Sequence, residues 1–452
     1  MMGGMYGRWG VGLIMLLVLV LGCQRVPADA GRVTVRYWEK WSGDEAAAMQ
    51  AVVDQFNASQ DRIFVEFLSM SNVDRKTLVA TAGGDPPDVV GLWLQNVYSF
   101  ADRSALLPLE DFIRSTGQTT TEWQSRYAPV YAAMGEYRGA VWAVPSAPVT
   151  TALHWNKKLF REAGLDPERP PRTVQELDEF ADRLTKRDPR TGQIVQMGFL
   201  PQEPGWFAWA FPRWFGGEYL AEQQIVIGTQ PGNRAAYEWS AGYTERYGLE
   251  AIRSFASGFG NFASPQNPFL AGQLAMVLQG VWMDSFISQF APDLEYGVAP
   301  WPAAVPGQEN FTLADADMLA IPRGAKHPLE AWEFIQFVST ANRQAQRVEE
   351  LTGVELLCYR QRKHSPLREW SPFFEQHHPH RYIAFFRQLA NSPNAITLPK
   401  IGIWQEYRRE LDAVFADTRL QRKSPADALA FCQSRISESW RWHQRSLERR
   451  QQ

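Results

Sequence analysis

Between residues 33 and 93 the chain changes hydrophobic period again and again, and this alternation restricts its architecture more than any single residue does. Val33, Val35 and Tyr37 alternate with Thr34 and Arg36, the two-residue period of a strand with one face buried. From about Asp44 the period lengthens, and Ala48, Val52 and Phe56 fall four apart on one helix face. Ile63, Val65 and Phe67 return to alternation. Asn72 stands where it can cap a second helix running to Gly83-Gly84. Residues 88–92 read as a third strand, ending at Trp93. A β-α-β-α-β run predicts a mainly parallel sheet flanked by helices, because parallel neighbours need a crossover between them. Ligands of such sheets bind beyond the carboxyl ends of the strands. Trp38, Glu39, Trp41 and Trp93 lie at those ends, which makes them candidates for ligand contact.

Further on, residues 140–144 (AVWAV) and 150–155 (TTALHW) read as two strands joined through Pro145-Ser146-Ala147-Pro148, a segment suited to a crossover between lobes. Thr173 and Glu176 have capping-box spacing ahead of Leu177, Phe180 and Leu184. Residues 202–217 (QEPGWFAWAFPRWFGG) hold Glu203, Trp206, Trp209 and Trp214 among too many prolines and glycines for one regular helix. Core packing is expected of Trp209 or Trp214. A last helix is expected to open at Ser424-Pro425 with Asp427 in its capping box.

At roughly 150 residues per domain, 452 residues correspond to about three domain-equivalents, enough to bury a core without staples. The net charge of −3, from 46 basic and 49 acidic residues, disfavours nucleic acid, which selects a basic surface. Eighteen tryptophans are more than one core usually absorbs, so some are expected to face a ligand. Cys358 and Cys432 are open to pairing or to burial as free thiols. No CxxC, HExxH, GxxxxGK[ST] or GxSxG occurs, and no cofactor is implied. The cluster His377-His378-Pro379-His380 lacks partners at ligand spacing, so a solvated loop is expected there and not a metal site.

Residues 1–22 carry one charged side chain, Arg8, ahead of an apolar run over 11–21 that is too short to span a bilayer. Gly22-Cys23 directly after that run resembles the bacterial lipobox. The resemblance implies a signal peptide over 1–22, lipidation of Cys23, a tether over 23–31, and a protein anchored outside the cytoplasm. An ordinary secretory signal with an incidental cysteine is the plainer alternative.

Five segments in a fixed order resemble the extracellular solute-binding proteins of sugar ABC importers, the group that includes the maltodextrin-binding proteins. They are Gly84-Asp85-Pro86-Pro87-Asp88-Val89; Gly139 to Pro145 (GAVWAVP) followed by Trp155-Asn156-Lys157; Phe269 to Met276 (FLAGQLAM) with Gly280-Val281-Trp282; Tyr296 to Pro302 (YGVAPWP); and Ser424 to Leu429 (SPADAL). Ala314-Asp315-Ala316-Asp317 departs from the pattern, since many relatives carry glycines there. The resemblance implies an α/β, two-lobed type II periplasmic-binding-protein fold, each lobe a mainly parallel sheet flanked by helices. Lobe one would be residues 32–145 plus 314–362, and lobe two 146–312 plus 363–452. It also implies a monomer that captures carbohydrate in the inter-lobe cleft, closes over it, and docks on a membrane permease.

A pyranose offers an apolar C–H face and a rim of hydroxyls. Indole rings match the face, while carboxylates and amides match the rim. The resemblance implies Trp282, in the Gly280-Val281-Trp282 match, and Trp404, in residues 398–404 that resemble the relatives' cleft-closing aromatic segment, as the stacking platforms, with Trp206 next. Glu39, Asn96, Glu203, Asp284 and Asp317 are the expected hydrogen-bonding groups. Truncating Trp282 or Trp404 to alanine is expected to cost over about 1 kcal/mol of affinity with the fold intact. Two rival functions share these features. A glycoside hydrolase would need two carboxylates about 5–10 Å apart, and Glu39 and Glu203 could converge to supply them. An adaptor lipoprotein would have no small ligand at all. A polyol phosphate would call for a cation in the cleft, with Lys40 the nearest.

Overall fold

A computed structural model describes residues 31–451; the expected signal peptide, Cys23 and the tether up to residue 30 lie outside the described residues. The alternation over 33–93 forms β1 (Val33–Glu39), α1 (Gly43–Ser59), β2 (Ile63–Ser69), α2 (Val73–Ala82) and β3 (Val89–Trp93). β1 lies between β2 and β3 and is parallel to both. Val35, Tyr37 and Glu39 point to its buried face, and α1 packs Ala48, Met49, Val52, Val53 and Phe56 inward. Asn72 does precede α2, but at φ 54° it takes the left-handed conformation and its side chain makes no capping bond. Asparagine tolerates that conformation better than most residues.

The rest of the sheet is built from long return strands. After α3 (Leu94–Asp102) come β4 (Val144–Asn156), β5 (Met276–Gly280), β6 (Tyr296–Ala299) and β7 (Thr312–Ala320). Their order is β5-β4-β7-β3-β1-β2, with β6 also paired to β4. Every pairing of β4 with β5, β6 and β7, and of β7 with β3, is antiparallel. The mainly parallel pairing expected in each lobe therefore holds for β1, β2 and β3, and elsewhere in this sheet only for the two-residue pairing of β7 with 395–396.

The two strands expected over 140–155 are in the main one strand, because both prolines fit inside β4. Pro145 and Pro148 lie in the half of β4 paired to β7 alone, and its other edge meets β5 only from Thr151. A proline with an open edge removes no ladder bond. β4 and β7 thus run from one side of the molecule to the other. Residues 144–150 of β4 pair with β7, while 151–156 pair with β5 and β6. β7 pairs with β3 at Asp317–Ala320, and its Thr312 and Leu313 pair with Ala395 and Ile396.

Two apolar cores flank these shared strands. One gathers Val35, Phe56, Trp123, Trp332 and Phe334; the other gathers Trp209, Trp214, Trp301, Trp404 and Tyr407. Trp209 and Trp214 are both buried, and the punctuated 202–217 segment forms only short turns at 208–210 and 211–214. Thr173 caps its helix through the Glu176 N–H, while the Glu176 carboxylate turns to the Arg172 N–H, so half of the expected box forms. Ser424 caps the terminal helix, accepting the Asp427 N–H at 3.1 Å. Cys358 and Cys432 are buried free thiols.

The histidine cluster is packed rather than a solvated loop at His378 and His380, while His377 is exposed at a helix end. His380 is buried with Nε2 3.1 Å from the Val281 carbonyl, and His378 packs edge-on against Phe374.

Candidate functional site

A cleft of about 600 Å³ opens where β1 and β3 end, beside the first half of β7. The first side comes from the residues after β1 and β3. Trp41 and Trp93 both face the cleft; Trp93 is 43% exposed and Trp41 is buried. The Lys40 ammonium lies 4.8 Å from the centre of the Trp41 ring and 5.6 Å from that of Trp93. Lys363 approaches Trp41 to 5.5 Å. Each ammonium thus leans on an indole face, a favourable cation–π geometry.

Charges alternate along this floor. Lys40 Nζ is 3.1 Å from Glu39 Oε1 and 3.0 Å from Asp317 Oδ1. Lys363 Nζ is 2.7 Å from Glu45 Oε1 and 4.0 Å from Asp317 Oδ2. Burial pulls against both ammonium groups. Asp317 and Glu39 around Lys40, and Glu45 and Asp317 around Lys363, outweigh it and hold both above their ordinary range. Glu39 is itself fully buried, accepts the Tyr37 hydroxyl at 2.5 Å, and packs where Gly91 has no side chain. A methyl group on Gly91 would collide with the Glu39 carboxylate. Gly91→Ala is expected to lower stability by about 1–3 kcal/mol, read as an earlier urea midpoint.

The other side is aromatic. Trp206, 41% exposed, sits edge-on to Phe262 at 4.5 Å, and Phe262 sits edge-on to Phe286 at 5.0 Å. Trp282 is half-buried at the start of α4 (Met283–Phe290), with its ring lying against Gly280 where any side chain would collide. Trp404 opens α5 (Trp404–Arg419), is fully buried, and meets Trp209 edge-on at 5.2 Å. Its Nε1 has no hydrogen-bond partner among the described residues. Arg408, one turn along, donates to the Trp206 carbonyl at 2.7 Å and so holds the Trp206 loop.

Of the residues singled out in the sequence, Trp41, Trp93, Trp206, Trp282, Asp317 and Trp404 line this cleft. Trp38, Glu39, Asn96, Glu203 and Asp284 do not. Trp38 lies on the opposite face of β1 from Glu39, packed against core residues. Asn96 is buried and accepts from the Gln405 side-chain amide. Asp284 is taken up by Arg362 at 2.6 Å and the Tyr296 hydroxyl at 2.5 Å; against the upward push of burial, the nearby His380 imidazole together with these two holds its carboxyl low. Glu203 borders a separate small cavity among Phe199, Phe207 and Phe211, where burial pushes its carboxyl up to about 7. Glu39 and Glu203 therefore do not meet across the cleft.

Several lining residues were legible but not picked out. Phe286 and Arg408 follow Trp282 and Trp404 by four residues, and Asp315 precedes Asp317 by two. Lys363 and Phe262 carry no local signal, because only tertiary packing brings them in. Burial, helped by the Asp317 charge, pushes the Asp315 carboxyl up to about 7, against the opposing pull of the Ala316 N–H, Lys40 and Arg408. A raised pKa makes the folded state lose stability as pH rises from about 4 through 7. Asp315→Asn removes the titration, so it should raise the melting temperature at pH 8 and leave it unchanged near pH 4.

Known proteins share this architecture. The chain is 26% identical to CpMnBP1, solved with mannotriose bound, at a TM-score of 0.76 over 89% of this chain and 99% of that one. The sugar-binding protein MalE of Xanthomonas citri has the same fold, at 20% identity and a TM-score of 0.71 over 92% of this chain and 99% of that one. The maltotriose-binding protein of Pyrococcus abyssi is 23% identical over 317 residues, 69% of this chain but only 64% of its own length. Residues 40–345, well over half of the sequence, match one family throughout. By that match the chain belongs to the bacterial extracellular solute-binding proteins.

Proposed function

We propose that this protein captures a carbohydrate in the cleft and hands it, by closure of two lobes, to the membrane permease of an ABC importer. One observation carries the reading: aromatic rings on both sides of a 600 Å³ cleft stand over a floor of paired charges. That arrangement suits a ring with two apolar faces and a hydroxyl rim. The names of the relatives agree with it, since those proteins bind maltotriose or mannotriose.

Trp41, Trp93, Trp206 and Trp282 serve as platforms, and Asp317 with Lys40 addresses hydroxyls. β4 and β7 serve as hinge strands between lobe one, 32–145 plus 314–362, and lobe two, 146–312 plus 363–452. Cys23 carries the lipid that holds the protein, as a monomer, at the outer face of a bacterial membrane. Ligand leaves unchanged in this reading, and the Glu39–Glu203 pair that a hydrolase could have used does not line the cleft.

A soluble version starting at Gln24, melted in the presence of a sugar and oligosaccharide panel, tests this. A ligand at 100 times its dissociation constant should stabilise the fold by about 2.7 kcal/mol. A shift with one glycan class, the glycan recovered intact, is the expected result. Cleaved glycan would point to a hydrolase, and no shift with any glycan would refute carbohydrate capture. Trp282→Ala should weaken binding of the responding glycan by more than about 1 kcal/mol, roughly fivefold, by titration calorimetry.

A further inference from the structure

We propose that Asp315 is the charge-reading residue of the cleft: it accepts hydrogen bonds from ligand hydroxyls, admits neutral carbohydrates, and turns away anionic ones such as uronates and sugar phosphates. The inference rests on the carbohydrate reading above and deepens it. Leu313, Asp315 and Asp317 alternate along β7 and all three line the cleft, as the two-residue period of a strand requires. Their surroundings differ. The Asp317 carboxylate is engaged by Lys40 at 3.0 Å and lies 4.0 Å from Lys363. Asp315 enters no ion pair among the described residues, and its Oδ1 accepts the Ala316 N–H at 2.7 Å.

The cations nearby are already engaged. Lys40 is held by Glu39 and Asp317, Lys363 by Glu45, and Arg408 by the Trp206 carbonyl and by Asp412 at 3.2 Å. A ligand entering this floor therefore meets an uncommitted negative charge and no uncommitted positive one. The charged and titratable groups acting around Asp315 are Asp317, Lys40 and Arg408, with the phenols of Tyr98 and Tyr131 also within its field. Glu45 and Lys363 also line the cleft, paired with each other at 2.7 Å.

A desolvated carboxylate needs donors, and vicinal hydroxyls supply two of them. An anionic sugar adds repulsion at a site where water screens poorly. Because the ionised form is the stronger acceptor, and burial sets its carboxyl near about 7, affinity for a neutral sugar should rise with pH.

The test is calorimetric titration of the soluble chain from Gln24 and its Asp315→Asn variant, at pH 6 and pH 8. The probes are maltotriose and mannotriose as neutral sugars and trigalacturonate as the anion. Wild type should bind a neutral trisaccharide roughly tenfold tighter at pH 8, following the ionised fraction of a group at about 7. The variant should lose that dependence and bind trigalacturonate more tightly than wild type does. A melting temperature at or above that of wild type at pH 8 establishes that the variant is folded. Neutral-sugar binding that is flat with pH in wild type, or pH dependence that survives in Asp315→Asn, overturns the role of Asp315 and leaves carbohydrate capture standing. Failure of all three probes to bind either protein, with no shift across the glycan panel, overturns both.

Discussion

Trp404→Ala is expected to destabilise the fold by about 3–5 kcal/mol, the largest effect of any single truncation in the cleft. The ring is fully buried, packs edge-on with Trp209 and Tyr407 at centroid distances of 5.2 and 5.7 Å, and lies tilted against Tyr219 at 5.4 Å. Removing it leaves a cavity inside the second core as well as a gap in the cleft wall. This corrects the expectation that the alanine variant would keep its fold. Chemical denaturation of the variant measures the loss, and a midpoint unchanged from wild type would contradict the packing argument. The ligand-facing role is better read from Trp404→Phe, which keeps most of the volume and removes only the unpartnered Nε1 donor.

Lys40→Met is the second large effect. Its ammonium is 2% exposed and lies between two carboxylates that are 1% and 7% exposed. Taking out the cation leaves Glu39 without its neighbour and Asp317 with only Lys363, 4.0 Å away. Breaking a buried pair from one side costs about 3–5 kcal/mol, because the remaining charge keeps its desolvation penalty. The expected result is a large loss in a urea melt, partly recovered in the double variant Lys40→Met with Asp317→Asn. Recovery is the diagnostic part: a lysine acting only through its aliphatic stem would give no rescue. Such a network stabilises little in net terms, and its value lies in fixing the floor on which a ligand would rest.

These charges show why some of the site was legible in the sequence and some was not. Glu39, Asp284 and Asp317 looked alike as carboxylates near aromatic residues. Asp317 faces the cleft, whereas Glu39 is buried beneath it against Gly91. Asp284 is turned away by Arg362, 78 positions along the chain. Asn96 likewise is consumed by Gln405, 309 positions away. The tryptophans divided in the same manner: Trp206 and Trp282 keep surface in the cleft, Trp214 keeps none, and Trp404 serves wall and core together.

The sequence by itself determined the local elements: the β1-α1-β2-α2-β3 run, the irregular 202–217 segment, the caps at Thr173 and Ser424, and through its motif order the family. All of these depend on neighbours within a few residues, where period, turn chemistry and capping act. Only the tertiary structure decided that Pro145 and Pro148 sit inside one continuous strand, that the return strands pair antiparallel, and which polar groups are spent on the protein itself. Those outcomes depend on partners from 78 to 309 residues away. A buried polar group takes whichever partner the packed chain brings within reach, and no local pattern records that choice.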